Sequence, residues 1–189
     1  MNEKFKLKIK NYVLFVGTIQ PRKNLPVLIE AFAEFVKKNK DFKLIIVGKK
    51  GWLYKNIFQK IKNMKLGKRI IFTGHVSDQQ LALFYKNAFC FVLPSFYEGF
   101  GIPVLEAMNY NCPTIISSSS SLKEIGGDAS LYLDPKNSSD LTEKLTLLKN
   151  HPELGRDIIG KGKLQLKKFS WENCSQQTLE VIKQAAKND

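Results

Sequence analysis

Glu98 and Glu106 stand eight positions apart, with Gly99-Phe100-Gly101 after the first and Ile102-Pro103-Val104-Leu105 before the second. The apolar run 89–93 precedes them and reads as a buried strand, and a helical apolar pattern begins after Gly101. A strand, a glycine loop and a helix together offer backbone N–H groups to a phosphate. Pro103 suits the first helical turn, where a missing N–H breaks no bond. The N–H groups of Phe100, Gly101 and Ile102, backed by the positive helix end, would meet a diphosphate. Helical side chains tilt toward the N-terminus, so Glu106, about one turn in, can return to the same place and accept from the vicinal hydroxyls of a ribose. Phosphate and polyol together point to a nucleotide-sugar. Spacing alone also admits a plainer reading, with Glu106 complementing the helix dipole and Glu98 a solvated loop charge.

A second constellation is Gly17-Thr18-Ile19-Gln20-Pro21-Arg22-Lys23-Asn24. Arg22 and Lys23 fall at a helix N-terminus, where cations oppose the dipole. A local rule broken in a loop marks a functional position. Arginine as a fork and lysine as a point charge could clamp a diphosphate that gathers charge as it leaves. The alternative is a surface pair. His75 follows the third strand, and His75 or Val76 could contact a base through the backbone, although a lone histidine is more often structural. Trp52 and Tyr54 read as core packing or, alternatively, as a wall of the site. Other chemistries lack their motifs. The chain has no Gly-Lys-Ser/Thr phosphate loop, no Gly-x-Ser-x-Gly elbow and no Asp-x-Asp pair for a metal-bound diphosphate. Two histidines are too few for a zinc site, so cations and backbone dipoles must do a metal's work.

These residues sit on a regular alternation of strands and helices. Strands are expected at Tyr12–Val16, 42–47, 70–73, 89–93, Thr114–Ser117 and Leu131–Leu133. Helices are expected at Leu25–Lys38 with Asn24 as cap, at 54–64, from a capping box at Ser77 to 87, and at 103–110. Three more follow, from Ser138 or Ser139 to 149, at 152–168 and at 171–187, and the serine run 117–121 reads as a loop. Such alternation implies an α/β fold, a Rossmann-like parallel sheet of about six strands with helices on both faces. Ligands of such sheets bind at the carboxyl ends of the strands, where Gly17, Gly48, Gly74, the 94–101 loop and the serine run all fall.

At 189 residues and 43% hydrophobic, the chain fits one domain with a sizeable core. No stretch approaches the roughly 18 to 20 apolar residues of a membrane span, and the charged start Met1–Lys8 lacks a signal-peptide core. A cytoplasmic protein is expected. Cys90, Cys112 and Cys174 have no metal-ligand spacing and are expected as buried reduced thiols. The net charge is +13. Its lysines are scattered rather than interleaved with aromatics, which argues against nucleic acid and leaves a solvated surface or a face near anionic lipid.

The chain resembles the C-terminal, donor-binding domain of retaining glycosyltransferases of the GT-B fold, glycosyltransferase family 4, the mannosyltransferase-like group. The resemblance rests on Phe15-Val16-Gly17, Arg22-Lys23-Asn24-Leu25, Ile46-Val47-Gly48, Phe72-Thr73-Gly74, Glu98-Gly99-Phe100-Gly101-Ile102-Pro103, Glu106-Ala107-Met108, Gly127-Asp128-Ala129 and Phe169-Ser170-Trp171-Glu172. It implies that Glu98 lies near the donor sugar's hydroxyls and Glu106 holds the nucleotide ribose. Arg22 and Lys23 would bind the diphosphate, helped by Gly17 and by backbone from Gly99 to Ile102, and His75 and Val76 would meet the base. It further implies transfer of a hexose such as mannose, with retention and without a metal or other cofactor, to a glycan or lipid-linked acceptor. The whole chain would then be one donor-binding domain, half of a GT-B fold, possessing in 170–189 a closing helix that packs on an N-terminal acceptor domain or partner chain. The isolated half would transfer little by itself. An anionic membrane surface at the inner face fits the basic charge. Two alternatives stay open: a non-catalytic nucleotide-binding subunit of a two-chain transferase, and a basic nucleic-acid or anionic-lipid binder. One residue departs from the family pattern, Thr18, where many members carry arginine.

Overall fold

The computed structural model describes residues 10–52 and 55–186. β1 (Tyr12–Val16) is buried at every position, as a strand covered on both faces must be. A 3-10 turn at Pro21–Lys23 leads into α1 (Leu25–Lys38), which buries Leu28, Ile29, Phe32, Phe35 and Val36 at helical spacing. β2 (Lys43–Val47) is followed by α2 (Lys55–Asn63), and β3 (Ile70–Gly74) by α3 (Asp78–Asn87). β4 (Cys90–Leu93) precedes α4 (Ile102–Asn109), and β5 (Thr114–Ser117) precedes α5 (Leu122–Gly126). β6 (Leu131–Leu133) leads to α6 (Ser138–Asn150), α7 (Pro152–Leu166) and α8 (Trp171–Ala185).

The six strands pair in parallel in the order β3-β2-β1-β4-β5-β6. The chain starts mid-sheet, builds outward to β3, then returns to the other side of β1 to lay down β4. Right-handed crossovers therefore place α1 and α2 on one face and α3, α4 and α5 on the other. α6 packs on α1, and α7 packs on α4. The expected α/β Rossmann-like sheet with helices on both faces is the observed fold. The strand order reverses between β1 and β4, so the crevice for a ligand opens beyond the ends of those two strands.

Several local expectations change. Asn24 does not cap α1: its backbone is left-handed (φ 53°), and its Nδ2 donates to Pro94 O (3.0 Å) and Pro135 O (2.6 Å), which joins three loops. Asn137, not Ser138 or Ser139, caps α6, its Oδ1 accepting from the N–H groups of Ser139 and Asp140. The capping box of Ser77 and Gln80 forms as expected. α5 is an unforeseen short helix after the serine run. Trp52 is 59% exposed, so it is not core, while Tyr54, the 1–8 segment and Lys187 lie outside the described residues. Cys90 and Cys112 are buried, and burial pushes both thiols up, Cys112 to about 12. Cys174 is exposed, because α8 buries none of its side chains. Trp171, Leu179, Val181 and Ile182 stand out from that helix. Among the described residues no helix is long and apolar enough to cross a membrane.

The loops after β1 and β2 touch. Gly48 has φ +145°, and a Cβ there would fall 2.1 Å from the carbonyl oxygen of Gly17. Strain and overpacking combine, so Gly48→Ala is expected to cost about 2–4 kcal/mol, measured by urea unfolding. An unchanged midpoint would mean that the two loops are free to part.

Candidate functional site

The site is built where the sheet reverses. Beyond β1, Pro21 starts the 3-10 turn with its preset φ, and left-handed Asn24 ends it. The turn brings Arg22 and Lys23 back over the strand end. A Cβ on Gly17 would lie 3.3 Å from Lys23 Cε and 3.5 Å from its Nζ, so Gly17 leaves room for that side chain. Beyond β4, the Phe96 N–H donates to Arg22 O (2.9 Å) and ties the two loops together.

Glu98 is the centre of the arrangement. Its Oε1 accepts from Lys23 Nζ (2.7 Å) and Ser95 Oγ (2.6 Å), and its Oε2 accepts from Arg22 Nη1 (2.7 Å). Arg22 also donates to Tyr97 O (3.0 Å). With its amide oxygen turned to the guanidinium, Gln20 accepts from Arg22 Nε (2.8 Å). Glu98 and Lys23 are both 6% exposed. Glu98 is therefore not a solvated loop charge and Lys23 not a surface cation, whereas Arg22 is exposed and pairs with Glu98 from the surface. Burial alone would raise the Glu98 carboxyl, but the hydrogen bonds from Lys23, Ser95 and Arg22, with the charge of Lys23, outweigh it and hold the group below the ordinary carboxylate range. Two cations against one carboxylate leave the cluster one positive charge, and Arg22, with its side chain 44% exposed, presents it to solvent.

The serine run shapes the glycine loop, a role its composition did not suggest. The Glu98 N–H donates to Ser120 Oγ (2.9 Å), and Ser121 Oγ donates to Glu98 O (3.0 Å) and Phe100 O (2.7 Å). Ser117 and Ser119 donate to Ser95 O behind them. Gly101 has φ +113°, and a Cβ there would meet Leu122 Cδ2 at 2.9 Å, so the loop lies flat on α5. Among the described residues the N–H groups of Gly99, Phe100, Gly101 and Ile102 have no acceptor, and they lie at the N-terminal end of α4.

Glu106, one turn into α4, is half-buried and accepts from Tyr85 Oη (2.9 Å). Tyr85 is fully buried, stacked on Tyr110 (6.0 Å) and edge-on to Phe91 (5.7 Å). Burial and the neighbouring Glu106 push its phenol up, so Tyr85 stays a donor. Tyr85 and Ser95 were not singled out from sequence. Ser95 lies three residues before Glu98 in one loop, a local signal, whereas Tyr85 reaches Glu106 from another helix. The fold thus joins Gly17, Arg22, Lys23, Glu98 and the 99–102 backbone at one crevice. His75 is exposed and Val76 partly buried beyond β3, two strands away on the same rim. Among the described residues no hydrogen bond or ion pair links His75 to the other candidates. Nor do they contain a cluster of three or more His, Cys, Asp or Glu suited to a metal ion.

A parallel sheet whose strand order reverses above a crevice lined by cations and free N–H groups defines a doubly wound α/β domain. Comparison makes the assignment specific: residues 1–165 match the family model of glycosyl transferases group 1, and the chain belongs to that family. It is 37% identical over 183 residues to O-antigen chain mannosyltransferase B of Escherichia coli, covering 96% of this chain and 48% of that protein. It therefore spans about half the length of that relative. Against the crystal structure of the C-terminal domain of a glycosyl transferase group 1 protein (LpcC) from Francisella tularensis, the TM-score is 0.77 with 27% identity, covering 88% of this chain and 89% of that one. Anabaena Alr3699/HepE, solved in complex with UDP and glucose, has the same fold, with a TM-score of 0.85 at 20% identity over 97% of this chain and 51% of that one.

A carboxylate whose folded pKa is depressed stabilises the fold above its unfolded pKa and loses that contribution as pH falls through the folded value. Glu98→Gln should therefore cost about 2–4 kcal/mol at pH 7, where it leaves Lys23 buried without its counter-charge. The difference from the parent should shrink below about pH 4. Urea unfolding at pH 7 and pH 3 tests this; a penalty independent of pH would mean that Glu98 acts by packing rather than charge.

Proposed function

We propose that this chain is the donor-binding part of a retaining hexosyltransferase that moves a sugar, with mannose the candidate, from a nucleoside diphosphate to a glycan or lipid-linked acceptor. The observation that carries the reading is the Arg22–Lys23–Glu98 cluster, with Lys23 and Glu98 buried, beside the free N–H groups of Phe100, Gly101 and Ile102, with Glu106 one turn further on. Relatedness to the E. coli mannosyltransferase supports the sugar, and the UDP and glucose of the Anabaena protein support the donor class.

In this reading the diphosphate lies against the N–H groups of residues 100–102 and draws Arg22 and Lys23 toward its oxygens. Glu106 accepts from the ribose hydroxyls, oriented by Tyr85, while the backbone at His75 and Val76 meets the base. Glu98, kept ionised by its neighbours, accepts from a hydroxyl of the sugar. The sugar C1–oxygen bond to the diphosphate breaks while the acceptor oxygen bonds to C1 on the same face. The acceptor's proton passes to the departing phosphate oxygen, so no protein nucleophile is needed. Arg22, Lys23 and the N–H groups stabilise the charge that builds on the leaving diphosphate. An N-terminal domain or partner chain supplies the acceptor wall, and the exposed face of α8 is where it would rest. Without that wall water stays in the crevice and transfer is slow. Work at the cytoplasmic face of a membrane fits a lipid-linked acceptor.

Titration calorimetry of the 189-residue chain with GDP, UDP and ADP tests this. One of the three should bind preferentially. Glu106→Ala should weaken it about 10- to 100-fold, the loss of a hydrogen bond to a charged group, and Tyr85→Phe about 3- to 10-fold. Arg22→Ala/Lys23→Ala should weaken binding and flatten its salt dependence, with a melting curve confirming the fold. If folded variants bind like the parent, the site assignment is wrong.

A further inference from the structure

The sheet has a second concave surface, at the edge opposite the donor crevice. Its amino-terminal edge and the end of α2 enclose a cleft of about 650 Å³, close in size to a small-ligand site. Lys40, Lys43, Lys62, Lys65, Lys68 and Arg69 line it, and among the described residues Asp41 is the single carboxylate in its lining. The floor is apolar, made by Phe42, Phe58 and Ile61. Arg69 Nη1 donates to the Lys40 carbonyl, which joins the segments before β2 and β3 across the cleft. The Leu66 N–H donates to Ile61 O and the Ile70 N–H to Leu66 O, so the turn carrying Lys65 and Lys68 is itself hydrogen-bonded into place. Lys62, Lys65 and Lys68 are exposed.

Among the described residues the lining cations outnumber the lining carboxylates, and like charges repel one another within a Debye length, roughly 10 Å at ordinary salt. A scattered lysine surface relieves that repulsion by spacing its charges or, as Lys161 does with Asp157 on α7, by pairing them. Here the charges converge on one concavity, with an aromatic and aliphatic floor that surface solvation does not call for. The cleft cannot serve the donor diphosphate. It lies before the first residues of β2 and β3, and five residues of strand, about 16 Å, separate it from the rim that carries Arg22 and Glu98.

We propose that this cleft is a second anion site that takes a phosphoryl group, the phosphate oxygens among Lys40, Lys62, Lys65 and Lys68. A phospholipid headgroup and a soluble phosphorylated compound share that chemistry. The site is independent of the glycosyl-transfer reading.

Three probes separate the sources, each titrated with excess nucleoside diphosphate present to occupy the donor rim: sodium pyrophosphate, phosphatidylcholine vesicles, and vesicles containing phosphatidylglycerol. Each is titrated into the parent chain, into Lys62→Glu/Lys68→Glu, and into Lys149→Glu/Lys163→Glu, which changes net charge equally on other helices. The cleft variant should lose about tenfold in affinity for pyrophosphate, for phosphatidylglycerol vesicles, or for both, while the control variant changes little. Loss with pyrophosphate alone assigns a soluble ligand, and loss with vesicles alone a headgroup. Equal loss in both variants would show a diffuse surface charge, and retained affinity in the cleft variant would place the anion elsewhere; either overturns the proposal. Nucleoside diphosphate binding at the donor rim should be unchanged in the cleft variant, so failure of one site does not imply failure of the other.

Discussion

Glu98 enters the protein interior as a charge, and burying a carboxylate without partners costs several kcal/mol. Its partners come from both sides of the reversal in strand order: Arg22 and Lys23 from beyond β1, Ser95 from its own loop beyond β4. The two loops cannot move apart without stranding buried charge. Much else at the rim follows from that constraint. Gly17 must be small so that Lys23 can lie over it, and Asn24 must turn left-handed so that its amide reaches the Pro94 and Pro135 carbonyls. The serines must take up the backbone polar groups of the 95–100 loop, which no ladder satisfies.

The cluster also links stability to ligand binding. Glu98 holds Arg22 and Lys23, so in the proposed donor site a diphosphate would exchange one anionic partner for another rather than meet bare cations. Part of that site is preorganised: Lys23 is already buried beside the crevice, and among the described residues the N–H groups at the α4 end have no acceptor. Glu106 is treated in the same way, its orientation set by a phenol that burial keeps protonated.

Much of the fold was legible from residues alone, because parallel strands buried on both faces read as continuous apolar runs, as at Tyr12–Val16 and in Leu44-Ile45-Ile46-Val47. Helix starts were less so. Asn24 and Ser138 look like caps, but tertiary partners decided their conformations. As candidates, Arg22 and Lys23 were legible because cations at a helix start oppose the dipole, and Glu98 and Glu106 because they flank a glycine loop at a strand-to-helix turn. Their burial was not, for it depends on loops far apart in sequence meeting. Tyr85 was invisible for the same reason: 21 positions separate it from Glu106, and only the packing of α3 against α4 brings them together.

The most direct test of this account is a crystal structure of the chain grown with the nucleoside diphosphate that titration selects among GDP, UDP and ADP. The account predicts the diphosphate within hydrogen-bond distance of the N–H groups of Phe100, Gly101 and Ile102. Arg22 and Lys23 should turn from Glu98 toward it, and Glu106 should lie on the ribose with Tyr85 still behind it. A nucleotide seated elsewhere, or one bound with Arg22 and Lys23 still wholly on Glu98, would contradict it.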